Sequence, residues 1–145
     1  MGIVSNLQRA KQIVHVYAEL DPPQELEVVE LTRGTAKAEN ETADFLGYDL
    51  SNGVISLLDA GLKLPESTNL PLDDLFTTLQ PLFRMVEQCF RPRLNKNGLF
   101  DDYSDAQMCL QAMKALNKLY PGAYEHEDTM RTFEIIGVWH VYSLA

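Results

Sequence analysis

At 145 residues the chain has the length of one ordinary domain, enough to bury a single core. A hydrophobic content of 46% argues against disorder throughout, and the longest apolar runs, such as Val54-Ile55, Leu57-Leu58 and Ile135-Ile136, are far too short to cross a bilayer. The formal charge of −9 opposes direct binding to nucleic acid or to an anionic membrane surface.

The N-terminus has no basic region followed by an apolar core, so no secretory signal is visible. Met1-Gly2 resembles a myristoylation start but places Asn6 where Ser or Thr is needed. The expectation is a soluble cytosolic protein. Cys89 and Cys109 both fall inside helical patterns and read as small buried hydrophobes, not as a disulfide framework. Charge is unevenly spread. Between Glu19 and Asp49 nine acids face only Arg33 and Lys37, a local balance of −7, whereas residues 73–100 balance at +1. Such a field attracts a basic partner, and it also serves solubility.

Residues 5–20 suit either of two elements. Ile3, Leu7, Ala10, Ile13, Val14, Tyr17 and Leu20 follow helical spacing with Ser5 as N-cap, yet Ile13 to Tyr17 is β-branched and aromatic, as strands prefer. Asp21-Pro22-Pro23 breaks whichever forms. Leu26 to Leu31 reads as a strand, with Leu26, Val28 and Glu30 to one side and Glu27, Val29 and Leu31 to the other. Gly34 to Thr42 reads as a surface loop. Asn52-Gly53 is a strong hairpin signal, and a two-residue turn pairs Ser51 with Val54, Leu50 with Ile55, Asp49 with Ser56 and Tyr48 with Leu57. The rival is a short helix from Ser51 that closes at Gly61. The pattern leans to the hairpin.

Pro65 to Leu70 reads as a loop, and Pro71, Asp73 and Asp74 suit a helix start. Leu75, Phe76, Leu79, Phe83, Val86 and Phe90 form a helical stripe, which Pro81 should kink or break and Arg91-Pro92-Arg93 should end. Leu94 to Tyr103 is a loop. Ser104 with Gln107 reads as a capping box for a helix bearing Ala106, Cys109, Ala112, Met113, Leu116 and Tyr120, stopped by Pro121-Gly122. Glu125 to Asp128 is a solvated turn. Thr132 to Ser143 is a strand with Phe133, Ile135, Trp139 and Val141 on one face and Ile136, Val138 and Tyr142 on the other, which suits the interior of a sheet. One α+β domain follows, with a mostly antiparallel sheet covered by two consecutive helices.

Residues that could carry chemistry do not assemble into a pattern. His15, His126 and His140 form no metal-ligand spacing, and no cofactor motif or nucleophile elbow is present. Asp49 and Asp59 are the paired-carboxylate candidates, and nothing in the spacing brings them together.

Two passages, Leu31-Thr-Arg-Gly-Thr35 with Phe45-Leu-Gly-Tyr-Asp-Leu50, and Leu94-Asn-Lys-Asn-Gly-Leu-Phe-Asp-Asp102 with the aromatic final strand, carry a likeness. Over roughly residues 26–142 the chain resembles a loose group of small, largely uncharacterised bacterial proteins that includes presumed immunity proteins of polymorphic toxin systems. The resemblance implies a cytosolic protein that binds a cognate toxin and blocks it, and a basic toxin domain would give the acidic surface a purpose. It carries no catalytic residues, metal or cofactor. The expected contact residues are Glu39, Glu41, Asp44 and Asp49, with Tyr48 as anchor. The alternative is a small cytosolic enzyme or complex subunit of unknown chemistry. The sequence leaves the oligomeric state open.

Overall fold

The computed structural model describes residues 6–53, 55–58 and 74–144, with backbone only over 74–76. The elements in order are helix α1 (Leu7–Ala18), strands β1 (Glu27–Arg33) and β2 (Asp44–Ser51), helices α2 (Asp74–Phe90), α3 (Tyr103–Leu119) and α4 (Glu127–Met130), and strand β3 (Glu134–Ser143). Ser5 as a cap, the pairing of Val54, the carboxylate of Asp59, the closing Gly61, the Pro65–Leu70 loop and the roles of Pro71 and Asp73 lie outside the described residues.

The last strand in the chain is the middle strand of the sheet. β3 pairs antiparallel with β1 on one side and with β2 on the other, in the order β1-β3-β2. Its composition explains the position, because Ile135, Ile136 and Val138 are all buried and so both faces are covered. Leu50 and Ile135 are opposite one another and belong to the main core with Phe90, Phe100, Cys109 and Met113. Ile136, on the other face, sits opposite Asp49. The expected α+β class and mostly antiparallel sheet are present.

The ambiguous N-terminal segment is a helix. Asn6 caps it by accepting a hydrogen bond from the Arg9 N–H at 3.2 Å, which satisfies one of the donors a helix start leaves open. Ala10 and Val14, one helical turn apart, are its buried residues. The β-branched run Ile13–Val16 does not prevent this, because helical spacing puts Ala10 and Val14 on one buried face. α1 packs on β1 and reaches β3 where His15 Nε2 lies 2.9 Å from the Tyr142 hydroxyl.

α3 lies against β2 and β3, and α2 packs on α3. Pro81 sits inside α2 without ending it, and the helix runs on to Phe90 before the 3₁₀ turn Arg91–Arg93. Of the expected α2 stripe, Phe83 and Phe90 are buried and Leu79 and Val86 pack beside them, while the Leu75 and Phe76 side chains lie outside the description. Phe83 meets Tyr120 and Tyr124 edge-on, at ring-centre distances of 6.2 and 6.0 Å. No helix among the described residues is long and apolar enough to cross a membrane.

Two local expectations change. α3 is capped by Asp102, whose carboxylate accepts from the Ser104 N–H at 2.9 Å, and Ser104 is already inside the helix. A carboxylate is a better partner for the positive helix end than a hydroxyl. The return after β2 is also two residues longer than a two-residue turn. The bridge joins Ser51 to Ser56 in place of Val54, and the Leu57 N–H donates to the Leu50 carbonyl. Side chains set this register. Ser51 Oγ donates to the Ile55 carbonyl and accepts from the Gly53 N–H, and Asn52 Oδ1 accepts from the Ile55 N–H.

Burial pushes the Cys109 thiol up to about 12, helped by the nearby Cys89, and it pushes the Tyr124 phenol up as well. Both groups hold their protons more tightly folded than unfolded. Their contribution is therefore intact below the ordinary thiol value of 9.0 and is lost as pH rises from there towards about 12. Chemical denaturation at pH 7 and at pH 10 should show lower stability at pH 10, with a smaller drop in Cys109→Ala. Cys109 is buried as expected but Cys89, expected to be buried too, is exposed, so in thiol titration at neutral pH Cys89 should react and Cys109 only after unfolding. Phe100→Ala, at a position with no exposed area, should cost about 3–5 kcal/mol in the same denaturation measurement.

Candidate functional site

β1 and β2 flank the same strand and run parallel to each other, so the chain between them must cross over the sheet. That crossover, residues 34–43, carries the surface acids. Its shape is set by two polar side chains. Glu30, on β1, accepts hydrogen bonds from the backbone N–H groups of Glu39 at 2.6 Å and Asn40 at 3.2 Å. Asn40 Oδ1 accepts from the N–H of Thr42 at 3.0 Å and from its hydroxyl at 2.8 Å, and the Ala43 N–H donates to the Asn40 carbonyl. A charged acceptor holding two successive N–H groups is among the stronger of such contacts. The Glu30 charge is thus committed to the fold, and the exposed Glu39 and Glu41 side chains are carried on an ordered loop.

The crossover leads into Asp44 and Phe45. Phe45 sits opposite Trp139, with ring centres 4.8 Å apart, and meets Tyr48 edge-on at 4.9 Å. Tyr48 in turn meets Tyr103 at 5.4 Å. Strict alternation would put Phe45 and Tyr48 on opposite faces. A β-bulge between Phe45 and Gly47 inserts Leu46 as the extra residue, so both rings share one face. The Trp139 indole N–H donates to Thr32 Oγ1 at 2.9 Å. Gly137 makes room for this contact, because a Cβ there would fall 2.5 Å from Thr32 Oγ1.

The other end of the bulge is locked by Asn95. Its Nδ2 donates to the Leu46 carbonyl and to Asp101 Oδ1, both at 2.8 Å, and its Oδ1 accepts from the N–H groups of Asn97 and Leu99. Gly47 adopts φ 138°, and a Cβ there would lie 2.7 Å from the Leu99 Cβ and 2.9 Å from Asn95 Nδ2. Phe100 then pairs with Tyr48 through two backbone hydrogen bonds, of 2.7 and 3.0 Å. The Leu-Gly-Tyr-Asp passage and the Leu-Asn-Lys-Asn-Gly passage, distant in the chain, are packed directly against each other.

The five expected contact residues separate. Glu39, Glu41 and Asp44 are exposed, Asp44 on the sheet face away from Phe45, opposite His140. Tyr48 is half-buried beneath the aromatic cluster. Asp49 is only 7% exposed and accepts from the Ser56 hydroxyl at 2.7 Å, which makes it part of the turn after β2. Phe45, 40% exposed, is the aromatic side chain that reaches the surface beside the acids. Counting alternate residues from Tyr48 misses it because the bulge is invisible in the sequence, although Gly47 between two apolar residues is the sort of position where bulges occur.

Other chemical groupings are sparse. A cleft of about 270 Å³ lies between Val14 and Ala18 of α1, the Leu26 approach to β1, and Leu144, with Glu25 and Glu27 as its charged lining. Among the described residues no group of three metal-ligating side chains comes together. Glu30→Gln keeps the acceptor but removes the charge, and should speed hydrogen exchange at the Glu39 and Asn40 amides while the β3 amides stay protected. Asn95→Ala removes four side-chain hydrogen bonds and should cost about 2–4 kcal/mol in denaturant unfolding. The chain matches none of the protein-family models, curated proteins or solved structures with which it was compared.

Proposed function

We propose that this is a cytoplasmic binding protein of the immunity type, which neutralises a cognate bacterial toxin by direct protein–protein contact. The observation that carries the reading is the crossover loop, where Glu39 and Glu41 are presented on a backbone fixed by Glu30 and Asn40 beside an exposed Phe45. Binding surfaces commonly join an aromatic anchor to a charged rim, and an ordered loop loses less entropy on association than a floppy one. An acidic rim on a chain of charge −9 selects a basic partner and speeds its approach. The contact set is Glu39 and Glu41 with Phe45, and Asp44, on the other face of the sheet, adds only to the surrounding field. Tyr48 supports Phe45 from below, and Asp49 acts through the fold of the turn.

The test is co-purification and calorimetry with the product of an adjacent toxin gene. A tight complex should weaken as salt is raised. Glu39→Lys combined with Glu41→Lys should weaken it roughly tenfold or more, mainly through slower association, and Phe45→Ala should speed dissociation. Absence of any complex with the neighbouring toxin, or a complex indifferent to both changes, would sink the proposal.

A further inference from the structure

The two outer edges of the sheet are treated differently. The β2 edge is closed from Leu46 to Ser51: Asn95 Nδ2 holds the Leu46 carbonyl, Phe100 pairs with Tyr48, and Leu57 and Ser56 return against Leu50 and Ser51. Among the described residues the β1 edge has no such cover. The Gly34 N–H donates to the Ile135 carbonyl, and this sets the phase of the ladder. Thr32 and Glu30 turn their backbone groups inward to β3, while Val29 and Leu31 turn theirs outward. Among the described residues those outward groups have no hydrogen-bond partner. An open edge of this kind is a template for one more strand.

Charge decides what that strand is. The approach to the edge carries Glu25 and Glu27, and the Glu30 side chain ties the loop bearing Glu39 and Glu41 to the same strand. The cations of the strand and its following loop, Arg33 and Lys37, lie at the far end, Arg33 is already engaged with Glu134 at 3.2 Å, and Lys11 of α1 is spent over the Tyr142 ring on the neighbouring strand. A second copy pairing edge to edge would bring one −7 segment against another, and like charges opposed across strands are destabilising. An extended segment rich in lysine or arginine meets the reverse situation. We infer that the β1 edge is a strand-addition site for an extended basic segment of the protein partner, paired through the backbone of Val29 and Leu31. This inference rests on the binding reading above and names the contact through which the partner is recognised.

The probe is a synthetic peptide of alternating lysine and valine, compared with a lysine–proline peptide of equal length and charge. Proline has no N–H to donate, so the two share their electrostatics and differ in ladder capacity. Amide-resolved NMR should show the lysine–valine peptide shifting and protecting Val29 and Leu31. Its dissociation constant should be roughly tenfold lower than that of the control, the yield of two or three backbone hydrogen bonds. Leu31→Pro removes an outward N–H without touching the β3 ladder and should abolish the difference between the peptides. Should that variant fail to fold, Glu27→Lys provides the second handle and should weaken the lysine–valine peptide. Equal binding of both peptides, or shifts confined to the Glu39–Asp44 loop, overturns the inference. So does concentration-dependent broadening of Val29 and Leu31 without peptide, which would mark self-pairing. If the toxin complex forms and resists Leu31→Pro yet responds to Glu39→Lys, the edge inference falls and the immunity reading stands.

Discussion

The close approach of Asn95 to Gly47 is the contact on which most of this fold depends. Four hydrogen bonds from one amide side chain join a tight turn to a bulged strand, and only a residue without Cβ allows the approach. The bulge sets which face each side chain of β2 takes. Through it the core receives Tyr48 and Leu50, the surface receives Phe45, and Asp49 goes to the opposite face. Phe100, delivered by the same turn, then closes the β2 edge and meets Phe90 at the end of α2. A local polar contact therefore aligns sheet, helices and exposed aromatic together.

The acidity of the chain has two components with different physical roles. Glu30, Asp49, Asp101 and Asp102 hold backbone or side-chain donors, and Asp105 pairs with Arg93 at 2.6 Å. These carboxylates act as acceptors that organise loops and helix ends. Glu39, Glu41 and Asp44 are exposed and supply the outward field. The total of −9 overstates the charge free to meet a partner, and what remains is divided between the crossover loop and the α1–β1 connection.

Elements whose signal was periodic were legible in the sequence, while those set by single side chains were not. The α3 stripe and its Pro121-Gly122 stop were readable because burial at helical spacing repeats over several turns. The interior place of β3 was readable because apolar residues occupy both faces. The N-terminal helix was ambiguous since its composition and its spacing disagreed, and Asn6 with Ala10 and Val14 decided it. The turn after β2 is two residues longer than Asn-Gly alone suggests because the Ser51 and Asn52 side chains bond their own loop, an outcome that depends on their rotamers as well as on residue type. In the site, Glu39, Glu41 and Asp44 were accessible to a reading of charge. The part played by Glu30, nine and ten residues from the amides it holds, was hidden in the same acidic composition.

The central position of β3 has a consequence for how the chain acquires its structure during synthesis. β1 and β2 emerge from the ribosome some 80–100 residues ahead of the strand that joins them. Until residues 134–143 are available neither has its ladder partner, so the early half must wait with apolar strands unpaired. Pairings between such distant segments slow folding and lengthen exposure to aggregation. The acids concentrated around those two strands would also keep the waiting nascent chain dispersed.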